Sequence, residues 1–200
     1  MTEKLLINDF IKDINVGAIV STSGHVTRKM LDKIDFENAN MIVEYGPGKG
    51  VITKQLLSKM SEDTVLFVFE INEYFIKELS KINDKRLIIV NSDAEKAQMI
   101  LKNRYKIENV DNIISSIPFT FINKRKRRRI IFRSFTLLNE KGKFITYQYS
   151  LLIYNLIKKQ FSEMSLNFTL INIPPVFIFE CIKQKDEVFL LNTDHKTIIV

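Results

Sequence analysis

Four residues at alternate positions, Glu44, Gly46, Gly48 and Gly50, end an apolar run that begins at Met41 and hands over to Val51, Ile52, Leu56 and Leu57 at helical spacing. An apolar run of strand length that breaks into glycine and restarts at helical spacing reads as strand, tight turn, helix. Glycines let the backbone bend sharply and let a ligand approach where a Cβ would collide, while the start of the helix offers unpaired N–H groups. That is the chemistry of a nucleotide-cofactor turn. The spacing excludes two common versions of it: a dinucleotide fingerprint requires glycine where Val51 stands, and no Gly-Lys-Ser/Thr follows as a P-loop requires.

What stands here, acid-x-Gly-x-Gly-x-Gly, resembles motif I of the class I S-adenosylmethionine-dependent methyltransferases. The resemblance implies S-adenosyl-L-methionine as cofactor, held by Glu44, Gly46, Gly48 and Gly50. Residues 65–71 read as a second buried strand, and its Glu70 follows Gly50 by twenty positions, the separation at which an α/β nucleotide fold sets a carboxylate for the ribose hydroxyls. By the same resemblance Ile71 lies beside the cofactor, Asp93 accepts from the adenine amine and the N–H of Ala94 reaches the ring. Taken alone, Asp93 is a helix N-cap.

The fourth strand, over 110–117, ends in Ser115-Ser116-Ile117-Pro118-Phe119, where related adenine and amine methyltransferases carry an Asn or Asp followed by Pro and an aromatic ring. In those enzymes the polar group holds the target amine and the ring stacks on a base. Ser116 in the leading position tells against adenine, because a hydroxyl does not offer the donor and acceptor pair of an amide. Ser115 falls on the cofactor side. A fifth strand over 143–150 brings Tyr147 and Tyr149 to one face, with Gln148 between them, and Gly142 before it is expected to cap the preceding helix. Ser116, Tyr147 and Tyr149 are the candidates for the amine-binding, catalytic side.

The N-terminal part narrows the resemblance. Leu6, Ile7, Phe10, Ile11 and Ile14 give an amphipathic helix over 3–15, which either packs on the domain or lies on a membrane or partner surface. Residues 16–23, Val-Gly-Ala-Ile-Val-Ser-Thr-Ser, are similar to the Val-Gly-Ala-[Ile/Val]-x-Pro-Ser-Ser segment of bacterial phospholipid N-methyltransferases, with Ser21 in place of proline. Ser23 then lies across the cofactor, or caps the helix over 25–33. The implied function is methylation of a phospholipid headgroup amine such as that of phosphatidylethanolamine. The rival is the related rRNA adenine dimethyltransferase group, and a third reading is a non-catalytic module that keeps the fold.

Charge bears on both rivals. Thirty basic residues against twenty-three acidic give +7, and Lys124, Arg125, Lys126, Arg127, Arg128 and Arg129 form one unbroken block. Such a block favours polyanions, an anionic phospholipid surface or RNA, over a merely solvated helix start. A single cysteine, Cys181, excludes an internal disulfide framework, and His25 and His195 are too few for a structural zinc site. The first residues carry Glu3 and Asp9 and do not read as a signal peptide, so the expected place is the cytoplasm, at the inner face of the membrane.

The elements that must position these residues alternate strand and helix, then close with a helix over 151–164 and strands over 168–173 and 176–182 joined through Pro174-Pro175. The expectation is a three-layer, doubly wound Rossmann-like α/β fold, a seven-stranded and mostly parallel sheet with a terminal antiparallel hairpin. Residues 1–33 would be an arm over the cofactor site and 34–200 the cofactor-binding domain. The tail after Cys181 has no assignment.

Overall fold

A parallel strand covered by helices on both sides must be apolar on both faces. β1 (Met41–Tyr45) and β2 (Val65–Glu70) accordingly bury every residue after their first. The computed structural model describes residues 24–169, 175–184, 190–193 and 196–199 of the 200-residue chain. Besides β1 and β2 it contains β3 (Leu87–Asn91), β4 (Val110–Ser115), β5 (Leu138–Gln148), β6 (Glu163–Thr169) and β7 (Val176–Ile182). These strands form one sheet of seven in the order β3-β2-β1-β4-β5-β7-β6. β1 to β5 are parallel, β7 is antiparallel to β5, and β6 is antiparallel to β7. This is the expected mostly parallel sheet with an antiparallel end. The strand order reverses between β1 and β4, so the crevice for a ligand opens beyond their carboxyl ends.

Each face has its own core. Helices α1 (Gly24–Leu31), α2 (Val51–Lys59) and α3 (Glu73–Leu79) cover Ile42, Leu66, Val68, Ile114 and Ile145. The other face carries α4 (Ala97–Ile100), which continues as a π turn, with α5 (Lys124–Leu137) and α6 (Tyr154–Gln160), over Val43, Tyr45, Phe67, Ile113 and Phe144. Arg86 closes the far end of α2: its guanidinium donates to the carbonyls of Leu57 and Met60, both at 2.7 Å, which would otherwise lack partners.

Several boundaries differ from the sequence reading. The helix expected over 151–164 is limited to α6, because the chain turns extended at Phe161 to seat that ring against Phe135 and Phe144 in the core. β6 therefore begins at Glu163 rather than 168 and pairs with β7 along its whole length. The tail contains a separate two-stranded ribbon, β8 (Leu190–Thr193) with β9 (Lys196–Ile199). The expected helix over 3–15, the 16–23 segment with Ser23, and Pro174 lie outside the described residues.

Gly142 is not a helix cap. α5 stops at Leu138 in extended conformation, and the left-handed residue nearby is Lys141, at φ 62°. Residues 139–142 form an outward excursion of β5: Leu138 is opposite Val110, and the next paired residue, Lys143, is already opposite Asn112. Asp111 pins the excursion by accepting from the Asn139 side chain at 2.7 Å, and with its other oxygen it holds the N–H groups of Asn40 and Met41 at the start of β1. Glycine is needed because a Cβ on Gly142 would lie 2.8 Å from the Asn139 carbonyl oxygen and 3.1 Å from that of Asp111. Since backbone oxygens do not rotate away, Gly142→Ala is expected to destabilise the fold by about 1–3 kcal/mol, read as a lower urea midpoint at unchanged slope. An unchanged midpoint would mean that the excursion relaxes freely.

Candidate functional site

The glycines at the end of β1 all have positive φ, and each meets a different neighbour. Gly46 donates to the Phe69 carbonyl at 3.0 Å, and a Cβ there would sit 3.2 Å from the Ile117 side chain. Gly50, in left-handed conformation at the head of α2, faces Leu79 and Ile82 at 3.0 and 3.2 Å. Gly48 alone has nothing within 4 Å on its Cβ side. The first and third glycines are thus required by packing, and the middle one presents bare backbone to the crevice.

Glu70 ties the next strand to this turn. Its Oε1 accepts from the N–H groups of Ile71 and Asn72 at 2.8 and 2.9 Å, and its Oε2 from Gly48 N–H at 3.2 Å. Burial raises its pKa, opposed by these backbone hydrogen bonds. Glu44 lies beneath the turn, fully buried, with Oε2 accepting from the Thr53 hydroxyl at 2.6 Å and Oε1 without a partner. Desolvation pushes its pKa up to about 8, against the Thr53 hydrogen bond and with help from Glu70. An unsatisfied buried carboxyl, a second carboxyl raised by burial and an open glycine backbone suit S-adenosylmethionine, which carries a net positive charge. Glu44, Gly48 and Glu70 would hold it, and it would supply a methyl group on a sulfonium.

Asp93 sits at the end of β3, where its Oδ1 caps the short helix through Glu95 N–H at 2.8 Å. Its Oδ2 pairs with Lys126 at 2.7 Å, a partner that sequence reasoning did not foresee. Ala94 is buried beside it, and Ile71 is partly exposed at the crevice.

The side expected to face the acceptor is built by the segment after β4. Ser116 N–H donates to the Tyr45 carbonyl at 2.9 Å, which sets Ser116 just beyond the carboxyl end of β4, one residue before the Ile117 that faces Gly46. Ser115 is fully buried and its hydroxyl accepts from Ile117 N–H at 3.3 Å, so it supports the segment from below. Phe119 is fully buried in the α5 face of the core and offers no ring for stacking. Tyr147 and Tyr149 meet edge-on, centroids 6.1 Å apart, on the opposite face of β5, and burial with Tyr147 nearby pushes the Tyr149 hydroxyl up to about 12.

Two residues shape this segment in roles that the sequence did not assign to them. Gln148 is buried; its amide donates to the Ile117 carbonyl at 2.9 Å and accepts from Phe119 N–H at 3.1 Å. Arg127 donates to the carbonyls of Phe119 and Ile122 at 3.0 and 2.7 Å. The signal for Gln148 was its place between two tyrosines, since alternation puts an amide there on the buried face, where it must be satisfied. The basic block is correspondingly divided. Lys126 pairs with Asp93, Arg127 binds carbonyls and Arg129 pairs with Glu95 at 2.6 Å. Lys124, Arg125 and Arg128 are exposed.

Comparison with known proteins agrees with this geometry. The family profile described as ribosomal RNA adenine dimethylase matches residues 19–137. The chain is 25% identical over 169 residues to the ornithine lipid N-methyltransferase of Singulisphaera acidiphila, covering 83% of this chain and 88% of that protein. It is 30% identical over 96 residues to ribosomal RNA small subunit methyltransferase A of Mycoplasmopsis pulmonis, and there it spans 34% of the relative's length. Among solved structures, the magnesium protoporphyrin IX methyltransferase of Synechocystis with bound cofactor superposes with a TM-score of 0.66 at 10% identity, over 92% of this chain and 98% of that one. The precorrin-6y C5,15-methyltransferase of Geobacter metallireducens gives 0.62 at 13%, over 81% and 90%. At these identities the structures show the fold.

The buried Glu44 gives a pH dependence whose sign is fixed. Its carboxyl titrates near 8 when folded and near the ordinary 4.5 when unfolded, so between those values the folded state holds a proton that the unfolded state has lost. Its contribution is fully present below about pH 4.5 and is lost as pH rises through 8. Thermal melts of the cofactor-free protein should therefore fall more steeply between pH 5 and 8 for the wild type than for Glu44→Gln, and parallel slopes would remove Glu44 as the cause.

Proposed function

The chain belongs to the ribosomal RNA adenine dimethylase family and is an S-adenosylmethionine-dependent methyltransferase, and on that footing we propose that its acceptor is the amine of a lipid headgroup, such as that of phosphatidylethanolamine. The observation that carries this reading is the acceptor side itself. Adenine recognition calls for an amide or carboxylate with a flat ring beside it, whereas here Ser116 leads the segment and Phe119 is sealed in the core. An alkyl amine needs less: a hydrogen-bond acceptor or two, and walls that exclude water. The alignment over most of both chains with a protein named as a lipid N-methyltransferase supports the same choice.

The sulfonium of the cofactor supplies an electrophilic methyl group, so the chain's own part is to hold an uncharged amine in line and keep water out. Ser116 Oγ and the hydroxyls of Tyr147 and Tyr149 are the groups for that amine. With its hydroxyl held up to about 12, Tyr149 stays protonated near neutral pH and orients the amine rather than taking its proton, which leaves to water. The reading carries with it a peripheral position at the inner face of the membrane. A second reading, rRNA adenine methylation, is favoured by the family profile and by the basic start of α5.

The deciding measurement is methyl transfer from radiolabelled S-adenosylmethionine to anionic vesicles containing phosphatidylethanolamine and, in parallel, to unmodified ribosomal RNA. The expected result is label in extractable lipid. Label confined to RNA would replace the lipid reading with the second one.

A further inference from the structure

At the carboxyl edge of the sheet, on its antiparallel side, large apolar side chains stand in solvent. Leu151 and Leu152, directly after β5, are 47% and 50% exposed, and Phe168 near the end of β6 is 48% exposed. Their neighbourhood follows from the register: Gln148 of β5 is opposite Phe177 of β7, Phe177 is opposite Phe168, and the two phenyl rings touch with centroids 5.2 Å apart. The loop bearing the leucines is held beside the segment that precedes α5. Ser150 and Thr120 share a hydroxyl hydrogen bond of 3.2 Å, and Gln148 clasps the backbone of Ile117 and Phe119.

The first turns of α5 begin four residues beyond Thr120, behind the Asn123 cap. Lys124 and Arg128, one turn apart, with Arg125 beside them, form one exposed cationic stripe. Lys126, Arg127 and Arg129 take no part in it, being engaged with Asp93, with backbone carbonyls and with Glu95. Exposed leucines and a phenyl ring next to a stripe of cations that meet no acid among the described residues, all on the carboxyl edge from which the crevice opens, make a two-part surface. Apolar side chains suit an acyl boundary and the cations suit the phosphates above it.

We propose that this rim docks on an anionic lipid bilayer, with Leu151, Leu152 and Phe168 entering the acyl boundary and Lys124, Arg125 and Arg128 lying against headgroup phosphates. The proposal rests on the lipid-amine reading and deepens it, since the crevice then opens toward the layer in which headgroup amines lie. RNA would use the cations but would have no use for the leucines, which is why charge complementarity and apolar exposure together favour the bilayer.

The test is co-sedimentation of the full chain with vesicles of phosphatidylethanolamine and phosphatidylglycerol at low and high salt. The wild type is expected to bind, less tightly as salt screens the cations. K124Q/R125Q/R128Q should lose about tenfold or more of the low-salt affinity, and L151S/L152S should lose the binding that survives high salt. Because the chain has no tryptophan, L152W is a reporter whose emission shifts to shorter wavelength as vesicles are added. An L151S/L152S variant that binds like the wild type at both salt concentrations, an L152W emission that stays fixed while the protein sediments with vesicles, or a wild type that binds an RNA duplex and no vesicle, would each overturn the proposal. Transfer by the wild type to phosphatidylethanolamine in detergent micelles separates the two claims: its absence defeats the lipid acceptor, whereas its presence with no vesicle binding defeats only the docking rim.

Discussion

The carboxyl edge of this sheet depends on the side chain of Glu70. It gathers N–H groups from the tip of its own strand and from Gly48 in the neighbouring turn, and so joins the second strand to the loop that leaves the first. A buried carboxylate is tolerable only when its oxygens are paired, and the pairing here uses backbone donors that only proline at 48, 71 or 72 would remove. The three glycines follow from that arrangement. The backbone must turn at once to bring Gly48 N–H to the carboxylate, while Gly46 and Gly50 must stay clear of Ile117 and Leu79. Glu44 beneath the same turn is the less satisfied partner, and burial pushes its carboxyl toward the protonated form.

Charge on α5 is divided between structure and solvent. Arg127 supports the loop after β4, and Arg129 with Arg133 meets Glu95. Lys126 reaches Asp93 at the carboxyl end of β3, so that part of the edge already carries a compensated acid. The helix therefore serves as a brace as well as a charged surface, and only part of its run is available to a polyanion.

How much of this was legible in the sequence follows from how local each constraint is. Gly46, Gly48, Gly50 and Glu70 are tied by backbone geometry over a few residues and one strand pair, and both type and spacing carried that information. Asp93 was legible as an acid that caps the turn after β3, but its pair with Lys126 joins positions far apart in the chain. Gly142 was read as a helix cap because a glycine after a helix usually is one; its real constraint is the carbonyl of Asn139 in the folded-back excursion, with that of Asp111 across the sheet next. Phe119 stands where related enzymes carry a stacking ring, and only the packing of α5 against the sheet decides that here it is core. Likewise, six adjacent cations look alike in a sequence, and the helix turn sorts them by direction.

The excursion over 139–142 fixes more than a local bend. A strand's side chains alternate, so the length of the excursion sets the parity of everything after it. With the present length, Gln148 falls on the face of α5 and clasps the loop after β4, while Tyr147 and Tyr149 fall on the other. Loss or gain of one residue there that moved the re-entry register by one would exchange the two sets without touching either, turning the tyrosines toward α5 and leaving the clasp on the wrong side. Chain length at a site remote from the crevice thus acts as a counting device for the chemistry at its mouth.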